Sequence, residues 1–319
     1  MASSPTESFL DSRDDPDGQP RRAREMPLLL HSLIEFGELI RGLIEATKPK
    51  LVIEIGGETG QSAITYLAAG AEEVVCVDPM PTAELTERAS NEERLTLVVD
   101  HSLKCMPSLP PSGFWVIDGD HNYSTVRAEL EAILERASSE EKPLIMLHDV
   151  LWPCGRRDLY YDPTVLDDTA VHPHRWDVGP SILSETLEAS GLVGSGQFAF
   201  ATEAGGERNG VRTAIEDVLA ARPQLTHAIV PAVFGLGVIY DLSAPWGSEV
   251  AELLRPWDRS PLLTRLELNR VSLYSRVLGL QHELERRTQQ FERQARELDA
   301  QIARLRSERL AQRAEAIGD

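Results

Sequence analysis

Five short apolar runs dominate the first half of the chain: Leu51–Ile55, Glu73–Asp78, Leu95–Asp100, Phe114–Asp118 and Leu144–His148. Stretches of helical periodicity separate them. Short strands that alternate with helices predict a parallel sheet covered on both faces. Parallel neighbours need crossover helices, and those crossovers are right-handed. The helices are read at Gly60–Ala69, Thr82–Ser90 and Ser124–Ala137. An amphipathic helix over Met26–Ala46 precedes them, with Leu29, Leu33, Phe36, Ile40 and Leu43 on one face. Further on, Ser181–Ser190 and Gly210–Ala221 read as helices and Gln197–Ala201 as a strand. Thr226–Val233 and Gly237–Asp241 read as a hairpin that completes the sheet. The expected fold is α/β, a doubly wound, mostly parallel seven-stranded sheet.

Ligands of such sheets bind outside the carboxyl ends of the strands. Acidic residues stand at four of those ends: Glu54, Asp78, Asp100 and Asp118. The first strand runs into Glu54-Ile-Gly-Gly-Glu-Thr-Gly60, an ExGxxxG turn that opens a helix. Gly56 and Gly60 let the backbone turn sharply and approach a ligand. The free N–H groups of the following helix suit an anionic group, and Glu54 places a carboxylate beneath the turn where an ammonium group could bind. Asp78, about 20 residues after the turn, is where a ribose diol is gripped in nucleoside-binding sheets. Asp100 and Ser102 stand where an adenine amine can be read. The spacing is not the GxGxxG of a dinucleotide site.

The fourth strand ends in Asp118-Gly-Asp120-His121 and the fifth in His148-Asp149. Adjacent strands would bring Asp118, Asp120, His121, His148 and Asp149 to one mouth. Carboxylates and imidazoles together can hold a divalent cation. A mostly oxygen ligand set favours Mg²⁺, and the histidine leaves Mn²⁺ or Fe²⁺ open. After this point the rhythm breaks. Residues 151–180 hold Trp152, Pro153, Gly155, Pro163, Pro173 and Pro180 without periodicity, which suits a lid or substrate loop. Tyr160 and Tyr161 could stack on a sugar or aryl ring, and Arg156 and Arg157 could hold a carboxylate or phosphate. An ordinary anchored loop fits the same residues.

From Leu262 to about Arg313 no proline occurs, and Val277, Leu284, Phe291, Leu298 and Leu305 are spaced by sevens. Tyr274, Ala295 and Ile302 lie on the neighbouring stripe, which Gln281, Thr288 and Arg309 interrupt. This is a long helix of coiled-coil character, expected to pair the chain as a homo-oligomer. The expected domains are a disordered tail over 1–25, a catalytic domain over 26–242 and a helical extension over 243–319. A net charge of −19 repels phosphate backbones and argues against a nucleic-acid partner. Cys76, Cys105 and Cys154 are scattered without CxxC spacing, as in a reducing compartment. No apolar run is long enough to span a membrane. The reading is a cytoplasmic protein.

Over residues 26–242 the ExGxxxG turn and the acidic strand ends resemble the class I S-adenosylmethionine (SAM)-dependent methyltransferases. The resemblance implies a Rossmann-like fold and SAM as cofactor. Gly56, Gly57 and Gly60 would line its methionine part, with Asp78 on the ribose and Asp100 or Ser102 near the adenine. The Asp118-Gly-Asp-His121 and His148-Asp149 pairs resemble a narrower group: metal-dependent O-methyltransferases of small molecules, especially of sugar hydroxyls in bacterial natural products. That resemblance implies Asp118, His148 and Asp149 as metal ligands and His121 as general base. His148 departs from the group, which has a carboxylate there. The expected activity is metal-assisted methylation of a small-molecule hydroxyl. A metal-dependent hydroxylase, with His121, His148 and a carboxylate holding iron, is the alternative enzyme. A non-catalytic scaffold that recruits partners through the coiled coil is the alternative from another class.

Overall fold

The computed structural model describes residues 31–137 and 142–318, with the backbone alone from 310 onward. The expected tail over 1–25 and the start of the Met26–Ala46 helix lie outside the described residues. Leu33–Phe36 forms a 3₁₀ turn capped by Ser32, and α1 follows at Gly37–Thr47. Then come β1 (Leu51–Ile55), α2 (Gln61–Ala69), β2 (Glu73–Val77), α3 (Ala83–Asn91) and β3 (Leu95–Val98). They lead into α4 (Ser102–Cys105), β4 (Phe114–Ile117), α5 (Tyr123–Arg136) and β5 (Leu144–Leu147). β1 has the bounds read from the sequence, and β2, β3, β4 and β5 each stop one or two residues short of that reading. Asp78, Asp100 and Asp118 therefore fall just beyond the strands, while Glu54 lies within β1.

The seven-stranded sheet is completed by two later strands, β9 (Leu225–Val230) and β10 (Leu236–Asp241), in the order β3-β2-β1-β4-β5-β10-β9. β10 is antiparallel to both neighbours and the rest is parallel. The order reverses between β1 and β4, the switch point where such sheets open a crevice. Strand alternation gives the sheet two apolar faces. One face (Val52, Phe114, Val116, Met146) packs on α1 and α2; the other (Ile53, Trp115, Ile117, Ile145) packs on α5 and α6 (Val211–Ala220). Full burial of each such side chain contributes about 1.5–3 kcal/mol.

Three features depart from the sequence reading. Residues 151–201 contain a small antiparallel sheet, β6 (Leu159–Tyr160), β8 (Ala199–Ala201) and β7 (His174–Arg175), with β8 in the middle. Ser181–Ser190 is not a helix. Pro180 precedes it, the Ser181 and Ser184 hydroxyls take the N–H groups of Leu183 and Thr186, and Gly179 bridges Glu188. Such side-chain bonds compete with the helical ladder. An additional helix, α7 (Gly247–Leu254), buries Val250 and Leu254 against α1. The last element is the 58-residue α8, Pro261–Gly318. No helix among the described residues is long and apolar enough to cross a membrane.

Candidate active site

The ladder of the sheet continues one residue beyond the strands. Asp78 N–H donates to Val98, Gly56 to Val77, Asp118 to Ile55 and His148 to Ile117, at 2.8–3.1 Å. These four bonds set Asp78, Gly56, Asp118 and His148 side by side along the carboxyl edge. The turn is closed by Gly60 N–H to Gly57 O at 2.6 Å and tied to β2 by Gly57 N–H to Asp78 Oδ2 at 3.1 Å. Gly56 has φ +87, and a Cβ there would overlap the Asp118 carbonyl. The close approach of β1 to β4 at the switch point therefore depends on that glycine.

Glu54 lies beneath the turn but faces inward. It is buried, with Tyr66 Oη donating to Oε1 at 2.7 Å and Cys76 Sγ to Oε2 at 3.2 Å. Burial pushes its carboxyl up to about 7. Both oxygens are thus engaged in holding β1, α2 and β2 together. Asp78 also accepts the Met80 N–H at 2.8 Å. Asp100 pairs with Lys104 at 2.9 Å, and that hydrogen bond, with one from the His101 N–H, holds its carboxyl below the usual range. Ser102 is buried and donates to Glu129 Oε1 at 2.5 Å. Burial pushes Glu129 up to about 8, and its Oε2 has no partner. Asp100 and Ser102 therefore sit at the same strand end with their side chains turned to different partners.

Asp118, His121, His148 and Asp149 converge. His148 Nδ1 stands 3.2 Å from Asp118 Oδ1 and 4.0 Å from Asp149 Oδ1, and His121 Nε2 stands 3.3 Å from Asp149 Oδ2. Burial disfavours a charged His148, but the carboxylates of Asp118 and Asp149 outweigh it and push the imidazole up to about 9. Asp149 adopts φ +57. A non-glycine residue in that region stores strain, typically about 1–3 kcal/mol, and clusters at functional sites. Among the described residues no group of three or more His, Cys, Asp and Glu is arranged to hold a metal ion as it stands. The donor chemistry nevertheless suits a cation. Asp149 Oδ1 is buried without a hydrogen-bond partner and faces the Asp118–His148 pair.

Asp120 stands apart from this cluster, near Thr125, and burial raises its carboxyl. Of the loop aromatics, Tyr161 is half-exposed and its ring lies 6.3 Å from that of His121. Tyr160 is buried with its hydroxyl on Asp158. Arg156 pairs with Glu216 at 2.7 Å, and Arg157 donates to the Ala201 and Thr202 carbonyls. Both guanidiniums are engaged within the fold. A cavity of 590 Å³ is lined by Trp152, Arg156, Pro180, Ser184, Glu203 and Arg212, and by none of Asp118, His121, His148 or Asp149.

Sequence reasoning missed Asp158, which is buried and accepts the N–H groups of Tyr123 and Gly210, each at 2.7 Å. It ties the start of α5, and with it the His121 loop, to the start of α6. Asn209 accepts the Asp158 N–H at 2.8 Å. Each partner is at least 35 residues from Asp158, beyond the reach of local pattern.

Residues 53–150 match the family model of a methyltransferase domain. No curated protein is significantly similar to the chain. Among solved structures, it is similar to an O-methyltransferase from Bacillus cereus in complex with SAH, at 16% identity and TM-score 0.42, covering 74% of this chain and 94% of that one. It is also similar to the O-methyltransferase TomG from Streptomyces achromogenes, involved in tomaymycin synthesis and solved with SAM, at 15% identity and TM-score 0.42, covering 74% and 93%. A Podospora anserina methyltransferase bound to SAH aligns at 16% identity and TM-score 0.41, covering 69% and 81%.

Proposed function

We propose that this chain, a class I SAM-dependent methyltransferase, transfers the methyl group to a hydroxyl oxygen of a small molecule. A sugar or other natural-product intermediate is the acceptor class we favour. The observation that carries the reading is the convergence of Asp118, His121, His148 and Asp149 at the sheet's switch point, directly beside the Gly56–Gly60 turn. SAM brings an activated methyl group. The protein's task is to present an oxygen nucleophile in line with it and to remove a proton. Gly56, Gly57 and Gly60 would line the methionine part, and Asp78 and Asp100 the nucleoside.

His121 is the proposed general base. Asp149 Oδ2 beside its ring would stabilise the imidazolium that forms when it accepts the hydroxyl proton. Tyr161 would wall the acceptor site next to it. Asp118, His148 and Asp149 would hold a divalent cation, Mg²⁺ in the first instance. Such an ion supplies orientation of the acceptor oxygens and a lowered hydroxyl pKa.

Titration calorimetry with SAM, combined with turnover assays in EDTA, tests this. SAM is expected to bind with one-to-one stoichiometry in the presence of EDTA, while methyl transfer to candidate acceptors, read as a gain of one methylene by mass spectrometry, stops. A chain that does not bind SAM would sink the proposal, and turnover indifferent to EDTA would remove the metal from it.

We also propose that α8 pairs with a second copy of the chain as a parallel coiled coil. Val277, Leu284, Phe291, Leu298 and Leu305 are all exposed along one seam, Leu284 and Phe291 by two thirds. In a parallel pair Arg287 of one helix meets Glu292 of the other, and no like charges oppose along the flanks. An antiparallel pair would set Glu285, Glu292 and Asp299 of the two copies on the same flank. Sedimentation at micromolar concentration is expected to give a dimer, and Leu284→Glu with Leu298→Glu a monomer. A monomeric full-length chain would refute the pairing.

A further inference from the structure

Between β9 and β10 the chain makes an unusual turn. Val233 and Phe234 both take the left-handed conformation, at φ 46 and 63, and Gly235 follows at φ 94. A β-branched and an aromatic residue in that region are costly, about 1–2 kcal/mol each. Such backbone persists only where its surroundings over-determine it. Successive residues of this kind can turn neighbouring N–H groups to one side and form a concavity that receives an anion.

The anion is the Glu267 carboxylate, from the second turn of α8. Its Oε1 accepts the Phe234 N–H at 2.8 Å, and the adjoining Val233 N–H adds a weaker electrostatic contribution that helps to hold the carboxyl below its usual range. Arg270, one turn further along, grips both oxygens of Glu267 at 2.6 and 2.7 Å and lies 4.8 Å over the Phe234 ring. On its other side the turn touches the active site. The Phe234 carbonyl accepts Leu151 N–H at 2.8 Å and the Gly235 carbonyl accepts Val150 N–H at 3.3 Å, directly after Asp149. The Val233 carbonyl is 2.8 Å from His148 Nε2. A carbonyl can only accept, so Nε2 carries a proton and Nδ1 is the nitrogen aimed at Asp118 and Asp149.

We propose that Glu267 is a positioning residue of the active site. By filling the Val233–Phe234 nest from the C-terminal helix, it holds the Val233 carbonyl on His148 and so fixes which ring nitrogen faces Asp118 and Asp149. The inference rests on the proposed role of His148 in methyl transfer. It makes the root of α8 part of the catalytic apparatus although Glu267 touches no reacting group. Partners that orient a functional histidine in this way typically change affinity or activity about 10–100-fold when removed.

The test compares Glu267→Ala and Glu267→Gln in the full-length protein, with the His148 Nε2–H resonance followed by nitrogen-edited NMR. Glu267→Ala is expected to lose the exchange-protected Nε2–H signal. Its kcat should fall about 10–100-fold, with KM for SAM little changed. Glu267→Gln, whose amide oxygen still accepts the nest N–H groups, should restore the signal and most of the rate. If Glu267→Ala does not fold, Arg270→Ala serves instead. It leaves the carboxylate in place without its clamp and should broaden the same signal. A Glu267→Ala protein with a lowered melting temperature but an unchanged His148 signal and kcat would overturn the proposal, leaving Glu267 as a staple for the helix. The NMR readout needs no turnover, so a failure of the methyltransferase reading shows separately, as absent SAM binding by the parent protein.

Discussion

Replacing Gly56 with alanine is expected to lower the melting temperature by roughly 6–12 °C and to weaken SAM binding at least about tenfold. Two costs combine. An L side chain at φ +87 is strained, by about 1–2 kcal/mol. The added Cβ would also overlap the Asp118 carbonyl and stand 2.7 Å from Gly119 Cα. Both are backbone atoms of the loop after β4, so relief requires that loop to move away from β1. A total on the order of 3 kcal/mol, at about 2–4 °C per kcal/mol for a domain of this size, gives the shift. Asp118 would move with its carbonyl, so the damage reaches both the cofactor turn and the chemistry beside it. Gly57→Ala is the control. Its Cβ would meet the Leu85 side chain at 2.7 Å, with Cys76 Cβ no closer than 3.5 Å, and its φ is ordinary. That contact is with the end of one side chain and not with backbone, so Gly57→Ala should cost less stability than Gly56→Ala. Thermal melts on the pair, with SAM calorimetry on Gly56→Ala against the parent, decide the matter. A Gly56→Ala protein that melts within about 2 °C of the parent and binds SAM normally would refute the close-approach account.

The strand ends were legible because each is written locally. An apolar run followed by an acid gives both the strand and the residue beyond it, and the backbone ladder then sets those residues in a row regardless of what they do. Asp78, Gly56, Asp118 and His148 owe their alignment to that arithmetic. Orientation is not local. Spacing placed Glu54 beneath the turn, but only the fold reveals that Tyr66 and Cys76 occupy its oxygens. Arg156 and Arg157 looked free for a substrate, and they are engaged by Glu216 and by the carbonyls of β8 and Thr202. The same limit hid Glu267 and Val233. Their contacts to Phe234 and His148 span 33 and 85 residues, and no periodicity in the sequence predicts that two non-glycine residues will turn left-handed together. The Ser181–Ser190 error has a different cause. Ile182, Leu183 and Leu187 imitate a helical stripe, while the serine hydroxyls beside them capture the N–H groups that a helix would need.

The His121→Ala protein should retain SAM affinity within about twofold and lose methyl transfer by about 10²–10⁴, the usual contribution of a positioned general base. The split follows from geometry. His121 belongs to the loop between β4 and α5, and its imidazole reaches toward Asp149 and Tyr161. The turn and Asp78 that would hold the cofactor lie on the β1 and β2 side of the crevice. Removing the ring also leaves the local scaffold standing, because Asn122 caps α5 and Asp158 holds the Tyr123 N–H independently of it. Asp149→Asn removes a proposed cation ligand as well as the partner of the His121 imidazolium, so the double variant should lose more turnover than His121→Ala alone. Equal turnover in parent and His121→Ala would exclude His121 as the base. A double variant no slower than His121→Ala alone would leave Asp149 to the histidine and remove it from the cation site.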